Sequence, residues 1–124
     1  MIEYKVELLE KQLRELRRIT PSGIGSLILS AEGLPVAADL PTSLEEEWLA
    51  ARSAAILGLG ERISAELRRG KLEQVFINGR EGCVIFALIN DETTLTVLYD
   101  TDVRVAMAML DIAYSVNQLR QLLR

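Results

Sequence analysis

The chain contains no histidine. That removes the commonest general base, a common zinc ligand and every Ser–His or Cys–His nucleophile pair. Few other residues could do chemistry. Cys83 is the sole cysteine, so no intrachain disulfide can form. It sits in the most apolar run of the sequence and reads as a buried, inert thiol. Asp91 with Glu92, and Asp100 with Asp102, are acidic pairs in turn regions. Two carboxylates could touch a hard cation, but calcium takes roughly six to eight oxygens. Turn and N-cap roles explain these residues instead. "GLG" at 58–60 lies inside a helical pattern and lacks the Lys-Ser/Thr that completes a phosphate loop. "GREG" at 79–82 is a turn. Arg14, Arg17 and Arg18 are diluted by Glu10 and Glu15 and read as a solvated face. The side chains thus argue against an enzyme acting in its own right, and no cofactor, metal or small-molecule substrate is expected.

A chain of 124 residues suits one domain, 1–124, with a single core. Its 49% hydrophobic and 26% charged content marks it as globular. A net charge of −4 gives nucleic acid nothing to hold. No run reaches the roughly 18 to 20 apolar residues that span a membrane. The N-terminus is charged from residue 3 and lacks the apolar block of a signal peptide. With a lone cysteine, these features predict a cytoplasmic protein.

The elements follow from periodicity. Ile2, Val6, Leu9, Leu13 and Leu16 make one helix face over 3–19, and "TPSG" stops it. "IGSLILS" (24–30) and "LPVAAD" (34–39), joined by "EG", predict a β-hairpin. Pro35 cannot donate to a ladder, so its strand belongs at an edge. In "PTSLEEE", Thr42 with Glu45 and Ser43 with Glu46 have capping-box spacing. The helix that follows is expected to run to about Arg69, with Gly70 as its stop. "KLEQVFIN" (71–78), "GCVIFALI" (82–89) and "TLTVLYD" (94–100) predict three strands, the first two joined by an Asn78-Gly79 turn. Strand 83–89 is apolar on both alternating sets, so helices must cover both sheet faces. A last helix, capped by Thr101 or Asp102, carries Val105, Met109, Ile112, Val116, Leu119 and Leu123 in one line, widened by Val103, Ala106, Leu110 and Ala113. The order is α-β-β-α-β-β-β-α. It predicts an α+β, three-layer α/β/α sandwich on a five-stranded, mostly antiparallel sheet, with the terminal helices on one face and the central helix on the other.

The central helix is unusual. A face of Leu49, Ser53, Ile56, Gly60, Ile63 and Leu67 is expected on the sheet. Trp48, Ala55 and Leu59 then fall on one flank, Ala50, Ala54 and Leu57 on the other, and Ala51 and Gly58 at the back. From 48 to 59 only Arg52 is charged. A helix apolar all round is buried all round, and one sheet cannot cover both sides. Ala50, Ala54 and Gly58, spaced by four, would let a second helix come close. The simplest such helix is the same one in a second copy. Strand 71–78, with Val75, Phe76 and Ile77, would be a bare apolar edge that a twin could also cover. The expected dimer surface is therefore Trp48, Ala50, Ala51, Ala54, Ala55, Leu57, Gly58, Val75, Phe76 and Ile77.

Taken together, "GIGSLILSAEGLPVAAD", "AARSAAILGLGERI" and "VFINGREGCVIFALINDETTLTVLYD", in this element order, resemble the Roadblock / dynein light chain domain family and its MglB-like bacterial members. The resemblance spans essentially the whole chain. It implies a profilin/longin-like fold and a dimer formed through the central helix and the strand after it. It also implies that the dimer is a platform for other proteins, in prokaryotes commonly small Ras-like GTPases. Some members activate the GTPase. Others are scaffold subunits that heterodimerise with a related Roadblock-type protein, in dynein or signalling complexes, and this is the alternative reading. The sequence ends with its third helix, so an activity that needs a C-terminal extension is not expected. An arginine finger could come from Arg52, Arg62 or Arg80, but each reads as a solvated charge. The resemblance points to activation by repositioning the GTPase's own residues, with no catalytic residue here. The GTPase is expected near Glu46, Glu47, Arg52 and Arg62.

Overall fold

The computed structural model describes residues 2–123, with side chains from Lys5 onward. Ile2, expected on the first helix face, therefore lies outside the described side chains. The elements are α1 (Ile2–Ile19), β1 (Gly23–Ser30), β2 (Pro35–Asp39), α2 (Glu46–Glu66), β3 (Gln74–Gly79), β4 (Gly82–Leu88), β5 (Thr93–Tyr99) and α3 (Val105–Leu122). They form one five-stranded sheet in the order β2-β1-β5-β4-β3. Every neighbouring pair is antiparallel. Both the element order and the α+β layering match the expectation. β2, with Pro35 at its start, is one edge, and β3 is the other.

α1 and α3 pack together on one sheet face, while α2 lies on the opposite face over β1, β2 and β3. The larger core unites Leu9, Leu13 and Leu16 of α1 and Ile112, Val116 and Leu119 of α3 with Ile28, Ile85, Leu95 and Val97. The smaller core sets Leu49 and Ala50 of α2 on Leu27 and Leu29. Strand alternation explains the split, because successive side chains take opposite faces. Cys83, Ile85 and Ala87 face α1 and α3, as the doubly apolar reading of β4 requires. An ion pair of Arg17 Nε with Asp39 Oδ2, at 2.6 Å, ties α1 to β2. Thr20 Oγ1 donates to Asp111 Oδ2 at 2.9 Å and ties α1 to α3.

The helix ends differ from the sequence expectation. α2 starts at Glu46 with Glu45 as an extended N-cap, and no side chain caps it. The Leu44 N–H bonds to the Pro41 carbonyl, so Pro41–Leu44 closes a turn of its own and carries Thr42 and Ser43 away from the helix. α2 ends at Glu66 rather than near Arg69. Arg68 takes φ 57°, and the N–H groups of Arg68 and Arg69 close on Ala65 and Ser64. The chain has thus turned before it reaches Gly70. α3 begins at Val105 with Arg104 as N-cap, not after Thr101 or Asp102. Those positions are taken by other bonds: the Asp100 carboxylate accepts from the Thr101 N–H, and Asp102 accepts from the Ser22 hydroxyl. Leu110, expected to widen the buried line of α3, is exposed. Among the described residues no helix is long and apolar enough to cross a membrane.

Candidate protein-interaction surface

α2 is seated on the sheet by its small residues. Leu49, Ala50, Ser53 and Leu57 are its buried positions. Ala50 is 0% exposed. Ala54 lies against the β1–β2 turn, where a Cβ on Gly33 would come within 3.1 Å of its own. Among the described residues one polar contact crosses the layer: Thr96 Oγ1 donates to Ser53 Oγ at 2.9 Å, both buried. Farther along, a Cβ on Gly60 would meet Leu72 Cδ2 at 3.1 Å and Val75 Cγ2 at 3.3 Å. The missing side chain there is what lets the helix approach β3.

This seating corrects the helix rotation drawn from sequence. Ser53 does face the sheet, and Ile56 and Gly60 are half-buried beside it. Ile63 and Leu67, expected on the sheet, are exposed instead. Ala50 and Leu57, expected on the partner side, are buried within the single chain and have no surface to offer. The physical reason is packing distance. A face of Ala50, Ser53 and Ala54 brings the helix closer to Leu27 and Leu29 than a face of isoleucines would.

The turned-out side carries the bulky residues. Trp48 (48% exposed), Leu59 (53%) and Ile63 (47%) are open to solvent, as are Ala51, Ala55 and Gly58. At about 100° per residue, Trp48, Ala51, Ala55 and Leu59 form one line along the outside of α2. Leu59 and Ile63 are the positions that sequence reasoning left out of the surface. The signal was present in the chain, since no pattern of one apolar stripe fits residues 48–63. The Arg52 guanidinium lies 4.3 Å from the Trp48 ring centre, a cation–π stack. Glu46, Glu47, Arg62 and Arg80 are exposed.

The apolar band continues onto β3. Val75 and Ile77 pair with Phe86 and Val84, and Phe76 pairs with Ile85. Ile85 belongs to the α1/α3 core, so Phe76 lies on that face, while Val75 and Ile77 lie beside α2. Ile77 and Phe76 are both exposed. The edge is bare as well. The Leu88 N–H bonds to the Glu73 carbonyl, which makes Glu73–Leu88 a hydrogen-bonded pair. By alternation, Val75 and Ile77 also turn their amides toward β4, and Gln74, Phe76 and Asn78 turn theirs outward.

Nothing else in the described chain gathers reactive groups. Cys83 is buried, and burial pushes its thiol up from the ordinary value. Asp91 is ion-paired with Lys71. Among the described residues no three His, Cys, Asp or Glu groups converge as metal ligands.

Comparison with known proteins fits this picture. The sequence pattern of the Roadblock/LC7 domain matches residues 8–99. An uncharacterized protein of Methanocaldococcus jannaschii is 29% identical over 113 residues, 91% of this chain and 97% of its own. Among solved structures, a Roadblock/LC7 domain from Streptomyces avermitilis superposes with a TM-score of 0.86 at 20% identity, covering 92% of this chain and 96% of that one. Myxococcus xanthus MglB gives 0.89 at 11% identity, covering 95% and 89%. A profilin from Acanthamoeba castellanii gives 0.61 at 12% identity, covering 94% and 96%, in keeping with the profilin-like expectation. With three-quarters of its length matched by the family pattern, the chain belongs to the Roadblock/LC7 domain family.

Proposed function

We propose that the protein is a homodimeric, non-enzymatic platform that regulates a small Ras-like GTPase. The observation that carries the reading is the exposed apolar band of α2, Trp48–Ala51–Ala55–Leu59–Ile63, running into the bare edge of β3. In the proposed dimer the two α2 helices cross antiparallel and the two β3 edges pair about Phe76. Phe76 then exchanges two backbone hydrogen bonds with its twin, and Gln74 does the same with the twin's Asn78. Charge favours this arrangement. α2 begins with Glu45, Glu46 and Glu47 and ends near Arg62, Arg68 and Arg69, so antiparallel crossing sets acidic ends near basic ones.

The GTPase would dock toward the ends of the paired helices, near Glu46, Glu47, Arg52 and Arg62. Activation, where it occurs, would reposition the GTPase's own groups, so this chain would supply no catalytic residue. The experiment is co-elution with a small Ras-like GTPase of the same organism, loaded with a non-hydrolysable GTP analogue or with GDP. A complex is expected with the GTP-like form only, and it should be lost in a Glu46→Lys, Arg52→Glu, Arg62→Glu variant that remains dimeric. Absence of a complex in either nucleotide state would remove the GTPase reading.

A further inference from the structure

The sheet face opposite α2 is only partly roofed. α1 lies over β1 and β2, and α3 packs against α1 and reaches β4. Packed helices sit about 8–10 Å apart and strands about 4.8 Å apart. If α1 is centred between β2 and β1, α3 is therefore centred near the β5–β4 boundary. β3 is left without a helix on this side. The space shows as a cleft of about 710 Å³ lined by Gln74, Ala87 and Ile89 on the sheet and by Ala113, Tyr114 and Asn117 on α3. Phe76 projects on this same face. Leu110, one turn before Ala113 and Tyr114, extends the α3 wall. Leu110 is 66% exposed, Tyr114 58% and Phe76 41%.

We propose that this face is a docking trough for one amphipathic helix of a different protein, lying across the twofold axis of the dimer. The inference rests on the dimer reading above. With β3 paired to its twin, the two α3 helices stand about four strand spacings apart, roughly 19 Å. That gap admits a single helix about 9–10 Å from each wall, floored by the two Phe76 rings. Area argues the same way. Leu110, Tyr114 and Phe76 each offer on the order of 100 Å² of exposed surface. One chain's share, about 300 Å², falls well short of the ~800 Å² per partner of a standard interface; two chains together, less the part of the Phe76 rings that their pairing covers, come nearer to it. An occupant that bridges both copies therefore fits better than one seated on a single chain.

The test uses the full chain and a fluorescein-labelled synthetic 18-residue helix with leucines on one face and alternating Lys and Glu on the other. Anisotropy titration gives affinity and stoichiometry, and light scattering gives the mass of the same samples. The expected result is one peptide per dimer, with affinity reduced at least tenfold in a Leu110→Asp, Tyr114→Asp variant that stays dimeric and folded. No saturable binding to a dimeric protein, two peptides per dimer, or undiminished binding by the variant would overturn the trough while leaving the dimer standing. A wild-type tetramer that the same substitutions reduce to a dimer would mean that a second copy covers this face, and would also overturn it. A monomeric wild type would overturn the dimer reading and the trough with it.

Discussion

The buried polar contacts of the core make separate, measurable predictions. The Thr96–Ser53 hydrogen bond joins β5 to α2 in a place closed to water. Ser53→Ala or Thr96→Val alone strands the remaining hydroxyl, which costs about 1–3 kcal/mol, while losing both partners is nearly neutral. Urea titration of the two singles and the double is therefore expected to show a double variant no less stable than the worse single. Additive losses would contradict the contact. Tyr99 offers a pH test. Its hydroxyl is buried and has no hydrogen-bond partner among the described residues; Thr20 is close, but its proton goes to Asp111. Burial foremost, and then the Asp111 carboxylate, raise the Tyr99 pKa above its ordinary value of 10. The fold thus favours the neutral phenol. Its contribution is whole below about pH 10 and fades as pH climbs from there toward the raised value. Tyr99→Phe removes an unpaired buried hydroxyl, so it should be at least as stable as the wild type at pH 7 and lose less stability than the wild type above pH 10. Equal alkaline losses in both proteins would refute the assignment.

At the scale of elements, periodicity made much of the structure legible. The register of alternation in β4, the proline at the β2 edge and the single face of α1 were all readable. The helix starts were not, because caps compete with tertiary partners that the sequence does not display. Asp102 is engaged by Ser22 across 80 positions, and Thr42 and Ser43 are drawn into the Pro41 turn. The rotation of α2 failed for a related reason. A wheel weights bulk, whereas the sheet selects the side that can come closest. The two α2 glycines test that point. Nothing lies within 4 Å of a Cβ built on Gly58, whereas on Gly60 it would press on Leu72 and Val75. Gly58→Ala should stabilise the folded chain by about 1 kcal/mol, the helix-propensity difference, and Gly60→Ala should gain less or lose. Equal gains at both sites, read from denaturation midpoints, would deny the close approach of α2 to β3.

For the whole molecule, the question is what covers α2. Ala54, which the sequence places on the expected dimer surface, lies against the chain's own β1–β2 turn, so a large substitution there would disturb the fold and the assembly together. Ala55 is exposed and central in the outward line, so the substitution belongs there. The decisive measurement is molar mass in solution, by size exclusion with light scattering, for the wild type and Ala55→Arg, with circular dichroism to verify folding. The account predicts a wild type at twice the 13.8 kDa chain mass, and an equally helical Ala55→Arg protein at the mass of one chain. A wild type that stays monomeric at micromolar concentration, or an Ala55→Arg protein that stays dimeric, would contradict it.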